Sequence, residues 1–89
     1  MTKRIHIKLK GNKNDKDSRG LIAETAQGLG LIGYAQHSEG VVEIVAQGDR
    51  GSIWQLVKDF TSEKFDAKFR EIVFYFADPK DEFTSFRLV

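Results

Sequence analysis

Residues 3–10, Lys-Arg-Ile-His-Ile-Lys-Leu-Lys, alternate without a break between apolar and polar side chains. Successive side chains of an extended backbone point to opposite faces, so Ile5, Ile7 and Leu9 share one face and Arg4, His6, Lys8 and Lys10 the other. A helix would scatter both sets around its axis. The chain therefore needs a sheet with one dry and one wet face, and the rest of the sequence must complete it. The basic outer row is the ordinary composition of a wetted strand face.

The period then changes. Residues 11–18, Gly-Asn-Lys-Asn-Asp-Lys-Asp-Ser, carry no apolar side chain and predict a solvated loop. Leu21, Ile22, Thr25, Ala26 and Leu29 follow as the stripe of an amphipathic helix, with Asp17 or Ser18 as its N-cap and Gly30 at its C-terminus. Residues 31–36 and 41–47 read as strands joined by the turn His37-Ser38-Glu39-Gly40 in an antiparallel hairpin. A second helix starts from Asp49 or Ser52, and Ile53, Trp54, Leu56, Val57 and Phe60 form its apolar face, with Trp54 expected in the core. Strands follow at 69–76 and 83–89. In the first of these, Phe69 falls on one parity and Ile72, Phe74 and Phe76 on the other; a bulge near Arg70–Glu71 brings all four to the core face and turns Val73 and Tyr75 outward.

The order β-α-β-β-α-β with a closing strand predicts an α+β, ferredoxin-like sandwich. It has a mostly antiparallel sheet, two helices on one face and a fifth, C-terminal strand. Residues 1–89 hold one such domain, since a chain of this length buries roughly 60–70% of its unfolded surface in a single core.

Composition removes several functions. Without cysteine there is no disulfide, thiolate metal site or cysteine nucleophile, which fits a cytoplasmic setting. Fourteen Lys and Arg against thirteen Asp and Glu argue against bulk capture of nucleic acid, and no apolar run reaches the ~20 residues of a membrane span. Strands 3–10 and 41–47 carry no aromatic residue to stack a base, so single-stranded RNA recognition is not expected. His6 and His37 are the only histidines, too few for a histidine metal site, and no Walker or dinucleotide glycine pattern occurs.

Against this background Gly11 and Arg19 stand at the two ends of a loop that resembles the Gly-Arg-Val-Gln-Gly-Val-x-Phe-Arg signature of the acylphosphatases, with the same spacing. Without a gap, Ala26, Leu29-Gly30-Leu31 and Gly33-Tyr34-Ala35 fall where that family's pattern has them. Gly40, Val42-Glu43, Ala46 and Gly48 are similar to its next stretch, and Phe83-Thr84-Ser85-Phe86-Arg87 to its last strand. The resemblance implies hydrolysis of the carboxyl-phosphate bond of a small acyl phosphate by direct attack of water, with no metal or cofactor. It also implies a loop whose backbone N–H groups and closing Arg hold the phosphoryl group, and an Asn after the second strand that holds the water.

Arg19 matches the phosphate-binding Arg. The interior of the phosphate-binding loop, Asn12, Lys13, Asn14, Asp15, Lys16, Asp17 and Ser18 between Gly11 and Arg19, departs from the family. Asp15 replaces the middle Gly, and Asp15 or Asp17 can fill the cradle or repel a dianion by about 1 kcal/mol at water-like dielectric. His37, or Gln36 if the register slips by one, stands in place of the Asn. Both changes imply activity that is weak or lost. The alternative is a non-catalytic binding module on the same scaffold, in which the apolar strand 72–76 serves self-association or a protein partner.

Overall fold

In the computed structural model, which describes residues 2–11, 16–38, 40–60, 69–80 and 84–89, the alternating segment forms β1 (Thr2–Gly11). It is followed by α1 (Lys16–Gly28), β2 (Ile32–Ser38), β3 (Val41–Asp49), α2 (Arg50–Phe60), β4 (Phe69–Ala77) and β5 (Phe86–Leu88). The five strands make one sheet in the order β4-β1-β3-β2-β5, antiparallel except where β5 runs parallel to β2. Helix α1 packs over β2 and β5 and α2 over β3 and β1, both on the face that carries Ile5, Ile7 and Leu9. This is the ferredoxin-like α+β fold.

The core lies between sheet and helices. Ile22 and Ala26 of α1 and Ile53, Leu56 and Phe60 of α2 close over Ile5, Ile7, Leu9, Ala35, Val42, Ile44 and Ala46, all buried. Each large aliphatic side chain removed from water there contributes about 1.5–3 kcal/mol.

Helix ends follow the local chemistry. Gly30, at φ 73°, donates its N–H to Gln27 O at 3.0 Å while Leu31 N–H reaches Ala26 O at 3.0 Å, the paired bonds of a glycine-terminated helix. Asp49 caps α2 by accepting the Gly51 N–H at Oδ2, 3.0 Å away. The bulge also lies where the parity conflict places it. Lys10 pairs with Glu71 but Gly11 pairs with Phe69, so Arg70 is the extra residue and Ile72, Phe74 and Phe76 align with Leu9, Ile7 and Ile5.

Glycine is required at Gly33. Its φ is 138°, and a Cβ there would come within 1.8 Å of the Val45 carbonyl oxygen. The close approach sets β2 against β3 two positions before Ala35.

The structure corrects four expectations. Helix α1 starts at Lys16, so Asp17 and Ser18 lie inside its first turn rather than capping it. Strand β2 continues through His37 and Ser38, paired with Val42 and Val41, so these two residues belong to the strand and not to the turn, and Gly40 before β3 has φ 80°. Among the described residues strand β5 spans Phe86–Leu88, and Phe83 of the expected strand lies outside them. Trp54 is 38% exposed, because it sits on the flank of α2 that faces the outermost strand, against Phe74 and Phe76 at centroid distances of 6.0 and 5.5 Å. Those two phenylalanines are on the helix side of the sheet but remain 38% and 41% exposed, since β4 has a neighbour on one side only.

Candidate active site

Strand register gathers four segments at one end of the sheet. Lys10 near the end of β1 and Ser38 at the end of β2 both pair with Val41 at the start of β3, and α1 begins five residues beyond Gly11. One row further in, Leu9, Val42 and His37 lie side by side across β1, β3 and β2. Leu9 and Val42 belong to the core under the helices, so His37 of the same row belongs to the helix-bearing face. It is half-buried there. Gln36 pairs with Glu43, points to the opposite face and is exposed. Of the two residues that the sequence offers for handling water, His37 is the one on the helix side.

Lys16, Asp17, Ser18 and Arg19 make up the first turn of α1. The first four N–H groups of a helix have no partner within it, and the helix dipole adds about half a positive charge at that point. The second half of the expected loop is thus the helix N-terminus itself, with Arg19 as its fourth residue. Asn12, Lys13, Asn14 and Asp15 lie outside the described residues. In chemical terms the corner offers backbone donors from the start of α1, a guanidinium carried on that turn and an imidazole at the end of β2. Donors and cation suit a phosphoryl group, and a neutral imidazole suits a water molecule.

The opposite face of the sheet holds residues whose role the alternating pattern hides. Lys8 lies 3.8 Å from Glu43 and Lys10 lies 3.6 Å from Glu71, both as exposed pairs worth at most about 1 kcal/mol. Arg4 is buried instead, and its Nε donates to His6 Nε2 at 3.3 Å. Its cover comes from the segment after β4. Ala77 and Gln47 flank Arg4 on the neighbouring strands, and Gln47 exchanges two bonds with Lys80: Nε2 donates to the Lys80 carbonyl and Oε1 accepts the Lys80 N–H, both at 2.9 Å. The chain must cross β1 above Arg4 to make them. His6 stacks on Tyr75 with ring centroids 4.8 Å apart and planes 4° from parallel. A strand alternation alone carries no signal for either contact, since both partners come from more than sixty residues away. Among the described residues, no group of His, Asp or Glu is placed to hold a metal ion, and no helix is long and apolar enough to cross a membrane.

A ferredoxin-like sandwich whose first strand delivers the chain to a helix N-terminus facing the end of the second strand defines the class of this domain. The acylphosphatase family model matches residues 6–88, and the chain belongs to that family. An acylphosphatase of Caldanaerobacter subterraneus subsp. tengcongensis is 36% identical over 58 residues, which cover 64% of this chain and 64% of that protein. The match thus spans just under two thirds of this curated relative's length. Among solved structures, the acylphosphatase from Bacillus subtilis superposes with a TM-score of 0.85 at 20% identity, over 100% of this chain and 99% of that one. An acylphosphatase from Coxiella burnetii also gives 0.85, at 24% identity, over 99% of this chain and 93% of that one. At those identities the two structures speak for the fold.

Proposed function

We propose that this chain hydrolyses the carboxyl-phosphate bond of small acyl phosphates, more slowly than a member with the unaltered loop, in a cytoplasmic setting. The carrying observation is the placement of His37. Strand parity puts it on the helix-bearing face, at the same end of the sheet as the first turn of α1 and Arg19.

In this reading the phosphoryl oxygens lie against the free N–H groups at the start of α1, and Arg19 neutralises the charge that accumulates on them as the P–O bond to the acyl group loosens. Neutral His37 accepts a hydrogen bond from a water molecule and directs its lone pair at phosphorus. Water oxygen bonds to phosphorus, the acyl C–O–P bridge breaks on the phosphorus side, and the bonding electrons leave with the carboxylate. The water proton goes to His37 or to the departing phosphate. A carboxylate is a good leaving group, so no general acid is required. Gly11 is the last residue of β1; Lys13 and Lys16 partly offset Asp15 and Asp17, and residues 10–19 sum to +2 from four basic and two acidic side chains.

The test is release of inorganic phosphate from acetyl phosphate. Turnover above the uncatalysed rate, competitive inhibition by inorganic phosphate, and loss of both in Arg19→Ala are expected. Hydrolysis at the background rate, with no phosphate binding, would overturn the reading.

A further inference from the structure

We propose that β4 is the interface of a symmetric dimer, in which two copies of this chain pair their β4 strands antiparallel, Phe74 beside Phe74 of the partner subunit, in one continuous sheet. This goes beyond hydrolysis and does not depend on it.

The starting point is the exposure of the outermost strand on both of its faces. Val73 and Tyr75 on the open face are 50% and 58% exposed; Phe74 and Phe76 on the helix face are 38% and 41% exposed, and Trp54 beside them 38%. Among the described residues, nothing hydrogen-bonds to the outer side of Ile72–Ala77. Edge strands are ordinarily shortened, charged or covered, because a row of unpaired N–H and C=O groups invites another strand. β4 is nine residues long, and its residues 72–76, Ile-Val-Phe-Tyr-Phe, contain no charge.

The run is complementary to itself. Antiparallel pairing about a two-fold axis matches residue i with j and j with i. With the axis at Phe74, Val73 meets the partner's Tyr75, Ile72 meets the partner's Phe76, and Arg70 stands at the position of the partner's Asp78, opposite charges at both ends. Other registers lose this. An axis at Tyr75 sets Arg70 against the partner's Lys80, and an axis at Phe76 sets Phe74 against the partner's Asp78. The bulge at Arg70 and Pro79 bound the pairing, and three-residue β5 at the other edge is too short to propagate it, so the assembly closes at two copies.

The area fits a weak affinity. Aromatic side chains bury 150–250 Å² each, so the exposed fractions of these five residues come to about 450 Å² per copy. That is about half of the ~800 Å² per partner of a standard stable interface, with the new backbone ladder supplying more. An interface of that size belongs with weak, transient associations.

Sedimentation equilibrium from a few μM to about 1 mM should show the mass rise from monomer to dimer and stop there. Tyr75→Lys and Val73→Glu, both at exposed positions, should each weaken dimerisation about tenfold or more while circular dichroism stays unchanged. Arg70→Glu should weaken it, and adding Asp78→Arg should restore it. The chain has no cysteine, so Phe74→Cys gives a single thiol. Paired Cα atoms at 4.5–5.5 Å suit a disulfide, and Phe74→Cys should oxidise to a covalent dimer at least about tenfold faster than Leu88→Cys on β5. A monomer at 1 mM, association unchanged by Tyr75→Lys and Val73→Glu, or equal oxidation of the two cysteine variants would overturn the proposal.

Discussion

Two strands of this sheet deliver the chain to a helix, and they do it differently. At the end of β3 the strand runs into α2 without an intervening residue, and the Asp49 carboxylate takes the Gly51 N–H at 3.0 Å. At the end of β1 four residues, 12–15, separate Gly11 from Lys16. Both corners present the start of a helix, with the same orphan donors and the same sign of dipole. The first has its anion built in. The second follows residues 12–15, which lie outside the described residues, and it begins at the end of the sheet where β2 carries His37. A helix N-terminus becomes a candidate site when the chain does not plug it, so the length and charge of the connecting loop decide the matter.

Substitutions can break or sharpen that contrast. The largest effect is expected for Arg19→Ala, which should lower kcat/KM for acetyl phosphate by about 10²–10³-fold, the size seen when one transition-state charge partner is removed. Unchanged turnover would place the reaction away from this corner. His37→Ala should cost about 10–100-fold, mostly in kcat, as loss of a water-positioning base does. His37→Asn should keep most of the rate, and Gln36→Ala on the other face should leave it within about twofold. A rate lost in Gln36→Ala and kept in His37→Ala would reverse the assignment. Asp49→Ala should lower stability in urea by about 1 kcal/mol with kcat unchanged, because its cap serves only the fold. Asp15→Asn should lower the inhibition constant of inorganic phosphate a few-fold, on the order of 0.5–1 kcal/mol for one like charge removed.

The fold was legible where the signal is local. Ile5, Ile7 and Leu9 declare β1, Gly30 ends α1, Asp49 starts α2, and the misplaced parity of Phe69 points to the bulge at Arg70. What escaped is non-local. Trp54 belongs to the apolar face of α2 by spacing, yet its burial depends on whether a strand lies beyond β4, and a helical stripe cannot say so. Arg4 reads as wet because it alternates with Ile5, whereas the chain after β4 crosses above it. For the site, the Gly33-to-His37 spacing located the position and left two candidates. The pairing of Gln36 with Glu43 and of His37 with Val42 then fixed which face each occupies. The conformation of 12–15 lies outside the described residues, and no period or cap in Asn-Lys-Asn-Asp specifies it.

The paired bonds between Gln47 and Lys80 have a kinetic consequence. Lys80 lies in neither helix nor strand, yet its N–H is held at 2.9 Å by a side chain that is 6% exposed, on the strand at the centre of the sheet. Its amide proton should therefore exchange with deuterated solvent at the pace of the sheet rather than of a loop. Gln47→Ala should release it, giving a single-residue reporter of whether the chain beyond β4 stays clasped to the sheet.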